Sequence, residues 1–304
     1  MKKLNYYFTL SLVLFITLFA FFNMFQIVKL SANVLTIVVE NLIPSLLPFM
    51  LLISLCLSLG IVQIFSYFIQ LIFTPIFKLK PIMGGIYFIS FFCGYPTNFK
   101  IMKEAYELKL IDQHDLQHLL NIASFSSLSF IFISLNLKYP FIIYFCHLFP
   151  SLLMALFYKS KNKKITFTQM LQNIPTTNKK IGTLLKESFV SSCYAFIFIL
   201  GYMLIFQFIG YGLSFFIEND FILNFIKGLL EFSSGTLQLL QMSESILNYA
   251  SIAFILSFGS FSVFMQMDNL LENIHYSFTT FMIHRIIHGC LSFILAYFVF
   301  SLIL

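Results

Sequence analysis

A Gly94-Tyr95-Pro96 break lies inside apolar sequence long enough to cross a bilayer, and it restricts what the chain can fold into. Proline lacks a backbone N–H and its ring blocks helical continuation. In lipid, the carbonyls released by such a break need partners in protein or in water. A break of this kind marks either a kinked packing helix or the broken-helix binding site of a transporter. The chain leaves it through a polar stretch, residues 100–115, in which Lys100 and Glu104, and Lys103 and Glu107, stand four apart. That spacing sets opposite charges side by side on a helix and reads as a surface helix or lateral arm. An apolar segment carrying Ser124, Ser126, Ser127 and Ser129 follows.

Of the 304 residues 59% are apolar and 10% charged, against roughly 25% charged in a soluble domain. The expected class is therefore an all-α polytopic membrane protein. Residues 4–28 carry no charge and are long enough to span; with no small-residue cleavage site after them, they read as a retained first helix. Five scattered cysteines without a C-x-x-C pair indicate neither a disulfide framework nor a zinc site. The net charge of +6 is gathered around one loop, at Lys159, Lys161, Lys163, Lys164, Lys179, Lys180 and Lys186. Positive charge in a short loop marks the cytoplasmic side and attracts anionic lipid, so no nucleic-acid partner is expected. Lys2 and Lys3 place the N-terminus on that same side.

Along the chain, Glu40, Asn41, Pro44 and Pro48 interrupt residues 35–59, which predicts a shallow segment followed by a short or kinked helix. Residues 82–93 are too short to cross alone and need Gly94 onward, unless they are re-entrant. Residues 119–137 and 141–157 complete a first half. In the second half, residues 184–216 form one long or two closely packed spans. Residues 221–232 are broken by Ser233-Ser234-Gly235, residues 246–267 by Gly259, and residues 276–304 close the chain. About eight to ten membrane segments result. His114 and His118 stand four apart beside Asp112 and Asp115; such pairs can bind metal, but they read here as interfacial residues, with no metal expected.

The halves resemble each other. Residues 89–102, with Gly94, correspond to residues 255–267, with Gly259, about 165 residues further on. Each is an apolar run ending at glycine, then a small polar residue, Thr97 or Ser262, then a polar stretch with an acid, Glu104 or Asp268. Duplicated halves with helix breaks at matching positions point to a transporter's binding site. The organisation expected is an N-terminal helix at 1–30, a first repeat at 31–158, a basic loop at 159–183 and a second repeat at 184–304. The helix-break residues are Gly94, Pro96 and Gly259. The candidate solute-binding groups are Tyr95, Thr97, Asn98, Ser124, Ser126, Ser127, Ser260, Ser262 and Gln266, with Ser233, Ser234 and Ser257 nearby. Hydroxyls and amides at helix breaks can replace a solute's hydration shell, and exposed helix N-termini favour an anion or carboxylate. Glu231 and Asp268, acids beside the membrane, are candidates for a coupling proton or sodium ion, or else interfacial residues.

Several blocks in order carry a family resemblance: Asn41-Leu-Ile-Pro44-Ser-Leu-Leu-Pro48-Phe49, Cys93-Gly94-Tyr95-Pro96 through Lys100, residues 107–131, Leu229-Leu230-Glu231 with Gly235, Phe258-Gly259-x-x-Ser262-Val263, Gln266, and Arg285-x-x-His288. From about residue 35 onward the chain resembles the YlbJ-type sporulation integral membrane proteins of bacteria, within the wider nucleoside-recognition or Gate-domain group. The resemblance implies two Gate-like repeats and a multi-pass transporter in the bacterial cytoplasmic membrane or the forespore outer membrane. It implies a small polar solute, a carboxylate such as dipicolinate or a nucleoside-like compound. The chain departs from the family pattern at Asn98-Phe99 and at Ser260. It also has Phe264 in place of a histidine, and Ser124-Phe125-Ser126-Ser127-Leu128 where both amides and a Gly-Pro break would stand. The alternative is a non-transporting sporulation scaffold or assembly factor. With no H-E-x-x-H and no G-x-S-x-G, neither an enzyme nor a cofactor is expected.

Overall fold

A computed structural model of the chain describes residues 2–158, 164–172, 174 and 179–304, with only the backbone described at 2–6, 8, 9 and 12. The charges of Lys2, Lys3, Lys159, Lys161 and Lys163 lie outside the described residues. Among those described, every regular element is helical.

Helix α1 (Lys2–Phe22) ends at Asn23, whose side-chain amide donates to the Phe19 carbonyl at 2.9 Å. This local competition with the helix ladder divides the expected first span, 4–28, in two. Helix α2 (Met24–Ile37) then runs through a π turn (Val38–Leu42) into α3 (Ile43–Ser58). Together they make one 35-residue helix, Met24–Ser58. The break expected at Pro44 and Pro48 is absent. The wider π turn leads directly into the first turn of α3, where Pro44 sits and a missing N–H is tolerated. The Ser45 and Ser134 hydroxyls donate to the Asn41 carbonyl at 2.5 and 3.1 Å. The boundary expected at residue 30 falls inside this helix.

Helix α4 (Ile61–Phe77) and α5 (Pro81–Cys93) meet at an angle of 97°, with Gly85 of α5 against Ser66. Helix α5 stops at Gly94, a cis Tyr95-Pro96 bond follows, and α6 (Thr97–Glu107) begins at once. Residues 97–107 are therefore the second half of a broken helix and not a lateral arm: Thr97, Asn98, Phe99, Ile101, Met102 and Ala105 are buried. The less buried side keeps the predicted pairs, Lys100–Glu104 and Lys103–Glu107, each at 3.8 Å. Helix α7 (Gln113–Ile122) starts with a reciprocal Asp112–Asp115 capping box. From Ala123 to Ser127 the chain is not helical, a second π turn follows (Phe130–Ser134), and α8 (Pro140–Leu156) returns. The uninterrupted segment expected over 119–137 is thus broken, although it contains neither glycine nor proline.

A short helix, α9 (Phe167–Gln172), is tied to α4 by the Gln70 amide, which pairs with both backbone groups of Ile165 at 2.9 and 3.0 Å. Helix α10 (Ile181–Leu213) is a single long helix lying against α2 and α3. Helices α11 (Asp220–Leu230) and α12 (Phe232–Leu240) form a tight hairpin. At their contact a methyl group on Gly235 would sit 2.1 Å from the Gly228 Cα. The turn is at Glu231, two to four residues before the expected break at Ser233-Ser234-Gly235, which already belongs to α12. Helix α13 (Ile246–Phe258), Gly259 and α14 (Phe261–Leu270) make the most deeply buried span, and α15 (Phe278–Ser301) packs along α13 and α8.

Among the described residues, four helices are long and apolar enough to cross a membrane, or five if the bent pair α4–α5 counts as one. The remaining apolar segments are short or broken helices that only their neighbours allow in lipid.

Candidate functional site

The two glycine breaks meet. The Tyr95 hydroxyl lies 3.0 Å from the Leu256 carbonyl, the Ser126 hydroxyl 3.0 Å from that same carbonyl, and the two hydroxyls 2.9 Å from each other. Gly94 (φ 60°) presses on the unwound strand so closely that an added Cβ would lie 2.1 Å from the Ser127 nitrogen. Gly259 (φ 85°) passes beside Tyr95, and the Phe264 ring covers it. The tip of the α11–α12 hairpin closes the group, with Phe232 against the rings of Tyr95 and Phe130, centroids 5.3 and 5.0 Å apart.

The unwound segment 123–127, together with the last carbonyls of α7, tests how a helix can open inside a membrane protein, because each released backbone group must be paired. The Ile122 carbonyl accepts from Ser151 at 2.6 Å, and the Ala123 carbonyl from the Asn98 amide at 2.9 Å. The Phe125 carbonyl accepts from the Tyr95 N–H at 2.8 Å. The carbonyls of Asn121 and, at 2.6 Å, Ser124 accept from the guanidinium of Arg285, which also reaches the Ser257 carbonyl at 3.4 Å. The Ser126 N–H donates to His147 Nε2 at 3.2 Å. That bond fixes the tautomer of His147, whose protonated Nδ1 donates to the Ser257 hydroxyl at 2.8 Å. His288 donates from Nε2 to the His147 carbonyl at 2.8 Å and accepts from Arg285 at Nδ1, 3.2 Å away.

Most of the polar groups expected to face a solute are thereby engaged within the protein. Tyr95, Asn98 and Ser126 hold the breaks. Ser124 donates to the Leu120 carbonyl at 2.6 Å, and the Ser127 hydroxyl accepts from the Phe130 N–H at 3.1 Å. Ser260 caps α14, and Ser262 accepts from the Gln266 amide at 3.2 Å. Glu231 is buried and caps α12, its oxygens accepting from the N–H groups of Ser233 and Ser234 and from the Ser234 hydroxyl at 2.8–3.0 Å. Asp268 is exposed and accepts from the Tyr276 hydroxyl at 2.6 Å.

Thr97 and Gln266 line a cavity of about 720 Å³ that opens between α3, α6, α10 and α14 and reaches Pro96. Its walls also carry Lys100, Lys103 and Lys186 with Glu104, Glu107 and Glu187, and the rings of Tyr194 and Phe198. Lys100 joins three helices there, donating to Ser54 of α3 at 2.9 Å and to Ser191 of α10 at 2.6 Å. The lysines and Arg285 escaped the site reading for different reasons. The i,i+4 charge pairs read as a solvated face, and Arg285, the single arginine of the chain, stands in an apolar segment whose spacing does not show what it bonds to.

Outside the membrane segments, Lys80 binds Asp112 at 3.1 Å and the buried Asp115 at 2.5 Å, tying the start of α5 to the start of α7. Burial opposes the charge on Lys80, but the hydrogen bonds to Asp115 and Asp112 outweigh it and hold the ammonium above its ordinary range. Asp112 is held below the usual carboxylate range, first by the Asp115 N–H and then by Lys80. Ligand atoms of Asp112, His114 and Asp115 come within 4.8 Å of one another, yet both acids already serve Lys80. His118 packs instead between His114 and Tyr158.

Long apolar helices, a bent pair and helix breaks meeting in the interior define a polytopic helical membrane protein. The chain is 23% identical over 292 residues to the sporulation integral membrane protein YlbJ of Bacillus subtilis (strain 168), covering 82% of this chain and 72% of that protein. The similarity supports a YlbJ-type assignment, as the motif blocks implied. No protein-family model matches the chain, and no solved structure matches it at a significant level.

Proposed function

We propose that the protein is a transporter of a small polar solute, with a carboxylate such as dipicolinate the first candidate and a nucleoside-like compound the second. The observation that carries this reading is the cavity ending on the helix break, where Thr97 at the N-terminus of α6 faces Gln266 of α14. The N-terminus of α6, at Thr97, favours an anionic group, while the wall lysines Lys100, Lys103 and Lys186 are matched in number by Glu104, Glu107 and Glu187. Tyr194 and Phe198 supply an apolar wall for a ring. We place the basic loop 159–183 on the cytoplasmic side of a bacterial membrane, from its charge.

The test is flux in proteoliposomes, with labelled dipicolinate beside a panel of nucleosides. Saturable dipicolinate movement, lost in Thr97→Val and Gln266→Leu with the protein still in the membrane, is the expected result. Unchanged flux in both variants would remove the cavity from the pathway. The engagement of most break hydroxyls in internal bonds favours the scaffold reading as the second one. Under it, no solute moves, while a deletion strain keeps its solute content and loses envelope assembly.

A further inference from the structure

Arg285 is completely buried and its guanidinium faces no carboxylate: among the described residues no acid lies within ion-pair distance of it. Its partners are backbone carbonyls of two broken elements, Asn121 and Ser124 where α7 ends and Ser257 in the last turn of α13. Nε has no partner among the described residues, and the one stacking contact is the Phe281 ring, 5.7 Å away. Carbonyls at the C-terminal ends of half-helices carry the negative pole of the helix dipole. In secondary transporters with broken helices, such carbonyl clusters are where a coupling cation is coordinated. Here a covalently attached cation fills the cluster. The neighbouring groups suit a permanent charge: both His147 and His288 hold their protons in neutral tautomers, and His288 offers a bare nitrogen to the guanidinium.

We infer that Arg285 is a resident cation, joining the two broken helices at the place a sodium ion would otherwise occupy, so that the protein neither binds nor needs sodium there. The inference deepens the transporter reading and rests on it only for the meaning of coupling. The occupancy itself is testable without any flux.

The experiment is thermal unfolding of the purified full chain in detergent, with sodium and choline chlorides compared at equal ionic strength. The wild type is expected to show the same Tm in both. Arg285→Ala leaves the carbonyls of Asn121, Ser124 and Ser257 without donors, and its Tm is expected to fall by about 5–10 °C. Millimolar methylguanidinium, or sodium in place of choline, is expected to restore at least half of that loss in Arg285→Ala and to leave the wild type unmoved. A wild type stabilised by sodium over choline would overturn the inference. So would an Arg285→Ala protein that loses nothing, or one whose loss neither cation restores. Should Arg285→Ala fail to fold, Arg285→Lys, which keeps a cation, must remain sodium-indifferent for the inference to stand. Absent flux with these Tm responses intact would sink the transporter reading and leave the resident cation in place.

Discussion

Two glycines hold matching positions in the halves but carry different constraints. Both have a positive φ, but Gly94 has a backbone nitrogen 2.1 Å from where a Cβ would be, whereas the tightest neighbour at Gly259 is the movable edge of Phe264 at 3.3 Å. Alanine at Gly94 must displace the unwound strand and should cost about 3 kcal/mol or more; at Gly259 the strain of a positive φ should cost about 1–2 kcal/mol. Thermal unfolding of Gly94→Ala and Gly259→Ala checks the order, and equal losses would mean that the strand yields easily. Sequence reading found both glycines, because a glycine at the end of an apolar run is visible in one dimension. It does not tell what the serines around them bond to. A hydroxyl reads the same whether it faces a solute or donates to a carbonyl one turn back, as Ser124 does to Leu120, and only the fold decides between these.

At the level of elements, residues 123–127 open without glycine or proline because their neighbours pair the carbonyls of Ala123, Ser124 and Phe125 and the N–H of Ser126. This break could not be read from local propensity, which is why the segment looked like a plain span. Its partners come from far along the chain: Asn98, His147, Ser151 and Arg285. His147→Phe keeps an aromatic ring, somewhat larger, but strands the Ser126 N–H and the Ser257 hydroxyl, and an unpaired buried group costs about 1–3 kcal/mol. We expect it to lower Tm accordingly while His147→Gln, which retains an acceptor, loses less; the reverse order would assign the ring a packing role alone. The π turns illustrate the opposite error. Two prolines in residues 35–59 predicted an interruption, but the wider turn and the Ser45 and Ser134 hydroxyls absorb it.

Over the whole molecule, the clamp from Lys80 to Asp112 and Asp115 sets a pH window. A carboxylate whose folded pKa is depressed stabilises the fold above its ordinary pKa, 3.8 for Asp112, and that contribution disappears as pH falls through the lower folded value. The raised ammonium of Lys80 contributes below its ordinary pKa of 10.5 and ceases to as pH rises through its folded value. Tm should therefore hold a plateau between these limits and decline in acid, and Lys80→Met should lower the plateau and soften the acid decline. An identical acid profile in the variant would show that other carboxylates control it. The all-helical, membrane-embedded class was legible from apolar length alone, whereas the joining of the halves depends on contacts such as Tyr95 with Leu256 that no spacing announces.

The helix Met24–Ser58, at 35 residues, is about 52 Å long at a rise of about 1.5 Å per residue, while a bilayer's hydrocarbon layer is about 30 Å thick. Its companion α10, with 33 residues, lies against it. Such a pair must lean or stand proud of the lipid, and each adjustment has a cost that depends on acyl-chain length. The two helices thus act as a gauge of bilayer thickness. Reconstitution into bilayers of increasing acyl length should raise resistance to unfolding until the lipid matches the pair, and a flat response would mean that their ends lie in water.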